Sequence, residues 1–200
     1  MSRRRALLGG KKNAYPGYKE LQYIYIDSSH VGYVTTTILL ENNTNKKYTW
    51  DVQVISPGIN NNYYALLQWY SAALTIKVTS NFSGIASNSY NGISHTTNER
   101  FTITYYRGSK GYITDGTTTL DCGTPTNSNR YLNIPICSAT YIKSSTTLRV
   151  FNLVITDSNT PIYNFIPVER ESDNVIGFLD TINMVFYPPT TGTFLAGPYM

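Results

Sequence analysis

The sequence predicts an all-β fold, and three observations carry that expectation. Apolar and polar residues alternate with a period of two in stretch after stretch, and helical periodicity is nearly absent. Clusters rich in Gly, Pro, Asn, Asp and Ser punctuate the chain at short intervals, as `ENNTNK`, `SPGINNN`, `RGSKG`, `TDG`, `TDSNTP`, `ESDN` and `PPTTG`. Composition agrees: 41% of residues are hydrophobic and only 14% charged, with 18 tyrosines among the 200 residues. Aromatic and β-branched side chains suit a pleated, half-buried surface. Ten or so short strands at this spacing build two stacked sheets or a barrel, and for one domain of this length the expectation is an antiparallel jelly-roll sandwich.

The strands follow in order. `LQYIYI` and `GYVTTTILLE` open the set. `KYTWDVQVI` places Tyr48, Trp50, Val52 and Val54 on one face and Thr49, Asp51 and Gln53 on the other. `YYALLQWY` and `ALTIKV` come next, the first read as strand because of its Tyr-Tyr start. `RFTITYYR` sets Phe101, Ile103 and Tyr105 against Thr102 and Thr104. `TTLRVFNLVI`, `YNFIPV`, `VIGFL` and `MVFY` complete the expectation. Residues 80–98 read as a ribbon with long loops, and residues 119–140 carry few strand signals.

Charge divides the chain in two. Arg3, Arg4, Arg5, Lys11 and Lys12 fall within `MSRRRALLGGKK`, which holds no acid. Taking these five from the 16 basic residues leaves 11 against 12 acidic ones, so the body is close to neutral. Residues 1–14 are therefore read as a basic docking arm and residues 15–200 as the sandwich domain. Five cations beside Gly9-Gly10 gain energy on an acidic surface, and a flexible arm can wrap a groove that a rigid face cannot reach. A protein partner is expected rather than nucleic acid, for which one short cluster on a neutral body is a small footprint. No stretch approaches a membrane span, and `ALLGG` is too short for a secretory signal.

Enzyme patterns are thin. Glu169, Glu171 and Asp173 alternate as acids on a glycanase strand would, but `ERESDN` is turn chemistry, which splays carboxylates into water. His30 and His95 stand near no Gly-x-Ser-x-Gly elbow. Cys122 and Cys137 match no zinc or redox spacing and read as buried free thiols, with a late disulfide as the alternative. No catalytic residue, metal or cofactor is expected. Tyr63, Tyr64, Trp69 and Tyr70 support two readings: core and subunit interface, or a platform for glycan rings.

Two stretches carry a family resemblance. `YKELQYIYIDSSHVGYVTT`, residues 18–36, resembles the opening of concanavalin/laminin-G-like sandwich modules of bacteriophage structural proteins. The end of the chain is similar to the way those modules close, through Phe165, Pro167, Gly177, Asp180, Phe186, Tyr187, Gly192, Phe194, Gly197 and Pro198. Glu169 departs from the pattern, standing where a basic residue is usual, with Arg170 beside it. The resemblance covers about 70 residues. It implies that first and last strands pair, and that the chain is a virion component: a head fibre, capsid decoration or tail-associated protein. Its implied partners are other virion proteins, capsid or fibre and tail subunits, together with further copies in a homo-oligomer such as a trimer. An adhesion module that binds host or mucosal glycans is the alternative.

Overall fold

The computed structural model describes residues 14–27, 29–30, 32–40, 45–56, 62–67, 74–79, 82–86, 92–95, 98–107, 110–121, 130–134 and 147–200. Every regular element among them is a strand. The first half holds β1 (Tyr18–Glu20), β2 (Ile24–Ile26), β3 (Val34–Leu40), β4 (Lys46–Ser56), β5 (Asn62–Leu67), β6 (Leu74–Thr79), β7 (Phe82–Ala86) and β8 (Gly92–His95). The second holds β9 (Arg100–Arg107), β10 (Gly111–Thr114), β11 (Thr119–Asp121), β12 (Arg130–Ile134), β13 (Thr147–Asp157), β14 (Thr160–Arg170), β15 (Val175–Asp180), β16 (Val185–Tyr187) and β17 (Leu195–Ala196).

An open antiparallel sheet of 11 strands runs β11-β10-β9-β4-β13-β14-β15-β16, with β1 added to β14 and β2 joining β13 to β17. A two-stranded sheet pairs β12 with β3, and β5 to β8 form a four-stranded meander. Strands β5 and β6 of that meander coincide with the expected `YYALLQWY` and `ALTIKV`, whereas β7, β8, β11 and β12 fall in residues 80–98 and 119–140, the less regular intervals. Their Ser, Asn and Gly residues are poor strand formers, and pairing with neighbours overrides the local preference.

The alternation read from the sequence sets the core. Tyr48, Trp50 and Val52 of β4 are fully buried, as are Ile103 and Tyr105 of β9 and Ile113 of β10. Val34, Ile38, Leu132 and Ile134 belong to the same apolar cluster, so the buried face of the β3–β12 pair closes over the large sheet. On β13 the alternation is interrupted: Val150 and Leu153 both face inward, with Phe151 and Asn152 between them. A bulge absorbs the extra residue, since Val150 pairs with Val52 and Asn152 with Asp51. Without it, Leu153 and Ile155 would turn away from the core that they share with Trp50 and Tyr48.

Turn chemistry does the connecting. Ser158 and Asn159 join β13 to β14 with φ of 49° and 68°, the two positive angles of a tight hairpin turn. Asp115 accepts the backbone N–H groups of Thr117 and Thr118 between β10 and β11. `ESDN` closes β14 onto β15 through Asn174, whose φ is 57°.

Gly177 and Gly197 answer to close packing instead. A Cβ at Gly177 would sit 2.5 Å from the Tyr187 carbonyl oxygen, and one at Gly197 the same distance from that of Tyr23.

The two ends of the described chain are zipped together. β17 pairs with β2, setting Leu195 against Tyr25 and Ala196 against Ile24. The Gln22 amide then donates to Pro198 O and the Met200 amide to Glu20 O.

Candidate cleft where the central hairpin divides

β13 and β14 leave their turn as a hairpin, paired as far as Leu153 and Phe165, and then part. The segment carrying β1 and β2 enters the opening as a V. Tyr18, Lys19 and Glu20 pair along β14 with Arg170, Glu169 and Val168, and Ile24 to Ile26 pair along β13 with Val150 to Leu148. The Leu21 amide crosses at the apex, donating to Pro167 O at 3.0 Å. The V does not fill the fork, and a cleft of about 300 Å³ remains.

One wall of the cleft is the apex itself, Glu20 to Gln22. The opposite walls are the bulge residues Phe151 and Asn152, and Ile166 with Pro167 of β14. Arg100 reaches in from β9, and Met200 lies at the rim. The bulge is what places Phe151 here, on the outer side of the sheet.

Arg100 is anchored on two sides. Its Nε and Nη2 donate to the Asp51 carboxylate at 2.8 and 2.6 Å, and its guanidinium lies 3.7 Å from the centre of the Phe151 ring. Donating these hydrogen bonds to Asp51 raises the pKa of Arg100 further. The stack continues away from the cleft. Phe151 meets Tyr23 edge-on at 5.3 Å, and Arg149 lies 4.6 Å from the Tyr23 ring. Arg149 donates to Tyr25 Oη and to Gln53 Oε1, at 3.0 and 3.1 Å. The Tyr23 hydroxyl lies 3.1 Å from that of Tyr25. This contact and the Arg149 donor lower the pKa of Tyr25, and the same contact raises that of Tyr23.

Beside the cleft, Glu169 fastens the C-terminal segment. Lys19 Nζ and Tyr199 Oη donate to its two carboxylate oxygens at 2.9 and 2.8 Å. Those bonds, Lys19 first, hold its pKa below the ordinary value despite some desolvation. This corrects the expectation that all three alternating carboxylates project into water. Glu169 is 8% exposed because it precedes the turn and is covered by β1 and Tyr199. Glu171 and Asp173 do lie exposed in the turn, Asp173 bound by Arg170 at 3.0 and 2.6 Å.

A pH dependence follows. A depressed folded-state pKa means that Glu169 stabilises the fold above its unfolded-state pKa and loses that contribution as pH falls through the folded value. Glu169→Gln is expected to cost about 1 kcal/mol at neutral pH, a modest figure because Lys19 is partly solvated. The difference in melting temperature between wild type and variant should shrink as pH is lowered toward 3, and a constant gap would contradict the assignment.

Other expected residues are placed as follows. Arg3, Arg4, Arg5, Lys11, Lys12, Trp69, Tyr70, Cys122 and Cys137 lie outside the described residues. Tyr63 and Tyr64 are on β5, paired with Lys77 and Ile76, and their side chains are outside the described set. His95 is on β8, paired with Ser83. His30 Nδ1 sits 3.0 Å from Asp27 Oδ1, in a turn where Asp27 also accepts the Ser29 and His30 amides.

Among the described residues no group of three or more His, Cys, Asp or Glu gathers as a metal site, and no helix is long and apolar enough to cross a membrane. The cleft offers one acidic side chain, one guanidinium and two amides against apolar walls, a set suited to holding a ligand by hydrogen bonds. No family model matches the chain, and no curated protein matches it.

Sequence reasoning did not find the cleft, because its lining comes from five separate stretches. The one local signal was `VFNL`, where strict alternation breaks and a bulge is required.

Proposed function

We propose that this chain is a non-enzymatic structural component of a tailed-phage virion, held to the particle by residues 1–14 and displaying a concanavalin-like jelly-roll sandwich on its surface as a head fibre or capsid decoration. The observation that carries the reading is the pairing of β2 with β17, which brings the opening and closing stretches of the chain together in the manner the resemblance implies. The residues that carry the resemblance also hold this sheet together. Phe165 and Phe194 are buried, Gly177 and Gly197 permit close backbone approach, and Asp180 organises a turn. The partners in this reading are other virion proteins and further copies of the chain in a homo-oligomer.

Deleting residues 1–14 tests the anchor. The truncated protein should melt as wild type does and fail to join particles, and binding of the intact chain should weaken steeply with added salt. Full incorporation of the truncated form would remove the arm from the mechanism.

The second reading, a carbohydrate-binding adhesion module, draws on the cleft in the fork. Its polar and apolar walls are of the kind that hold sugars.

A further inference from the structure

We infer that the cleft in the β13–β14 fork is a subsite for a single neutral sugar ring, an inference that rests on the carbohydrate-binding reading and builds its site from residues other than Tyr63, Tyr64, Trp69 and Tyr70.

Size comes first. At about 300 Å³ the cleft lies at the lower end of the range for small-molecule pockets, which suits one pyranose rather than an extended chain buried along its length. A pyranose presents hydroxyls around its edge and C–H groups on its faces. The walls divide the same way. Glu20, Gln22 and Asn152 offer hydrogen-bonding side chains, and Leu21, Ile166 and Pro167 offer apolar ones. A carboxylate accepts from two hydroxyls, while each amide both donates and accepts, so the set matches groups that are donors and acceptors at once.

Charge selects among sugars. Arg100 would ordinarily favour an acidic one, but Asp51 already holds its Nε and Nη2 in a bidentate pair. With that charge offset, Glu20 leaves the cleft with a negative balance that disfavours uronic and sialic acids.

Preorganisation supports the assignment. The guanidinium of Arg100 is fixed by Asp51 on one side and by the Phe151 ring on the other. The apex is fixed by the bonds from Leu21 to Pro167 and from Gln22 to Pro198. A ligand entering here finds walls already ordered, which reduces the entropy lost on binding.

The test uses the intact chain. Neutral hexose and N-acetylhexosamine oligosaccharides are arrayed beside sialylated and uronic counterparts, and methyl hexosides are followed by saturation-transfer NMR. The proteins are wild type, Glu20→Gln with Asn152→Leu, and Trp69→Ala, each checked for an unchanged melting transition. Binding of neutral sugars that falls at least tenfold in the double variant and persists in Trp69→Ala is the expected result. Binding that survives the double variant but disappears in Trp69→Ala overturns the cleft and leaves the carbohydrate reading standing. Binding of acidic glycans alone overturns the neutral specificity. Failure of wild type to bind any sugar at millimolar concentration overturns both the cleft assignment and the reading on which it rests.

Discussion

Replacing Trp50 with alanine is expected to destabilise the fold by about 3–5 kcal/mol, the usual range for deleting a large aromatic from a packed interior. Trp50 is fully buried at the middle of β4, with Leu153 opposite on β13 and Ile103 opposite on β9. Its ring stacks beside that of Tyr48 at 6.5 Å. Two flanking strands and the covering β3–β12 pair limit how far the surroundings can collapse into the vacated space. The buried indole Nε1 finds no hydrogen-bond acceptor among the described residues, which costs stability in the native protein. Trp50→Phe keeps much of the apolar contact and removes that unpaired donor, so it should cost under about 2 kcal/mol. Urea unfolding of the two variants measures both values. An alanine variant within 1 kcal/mol of wild type would mean that the core is not centred on this residue.

Asp180→Ala should cost about 3 kcal/mol through a different cause, the loss of acceptors for buried donors. Asp180 is fully buried at the end of β15. Its Oδ1 accepts the backbone N–H groups of Asn164 and Ile182, each at 3.1 Å, and its Oδ2 accepts the Asn183 side-chain amide. These bonds hold the turn from β15 to β16, where Met184 has a φ of 55°. Alanine leaves two main-chain donors unsatisfied, each a loss of roughly 1–3 kcal/mol. Asparagine retains one acceptor oxygen and should lose about half as much. Hydrogen exchange at the Ile182 amide gives the local readout, which should accelerate in the alanine variant beyond what global unfolding explains.

The sequence made the sheet's inward face legible and its edges obscure. `KYTWDVQVI` and `RFTITYYR` obey strict alternation, and Tyr48, Trp50, Val52, Phe101, Ile103 and Tyr105 face inward as the pattern predicts, the Val54 side chain lying outside the described set. β1, β10, β11, β12 and β17 were not foreseen. They are two to five residues long, and strands that short are defined by their partners rather than by their own residues. Glu169 was misjudged for a similar reason. Local chemistry marks `ERESDN` as a turn, but the cover over its first residue comes from Lys19 and Tyr199, which no local reading connects. Arg100 and Phe151 escaped notice because the bulge that brings them together changes which way one residue points.

The wedge formed by β1 and β2 also constrains the order of events during synthesis. Lys19 must wait for Glu169, 150 positions later, and Tyr25 for Arg149, 124 positions later. The apolar run around Ile24 and Ile26 therefore emerges from the ribosome long before its partners exist. Assembly of the large sheet becomes a late, slow step governed by loop closure. Any chaperone that shields the nascent chain would have its longest task at residues 21–26.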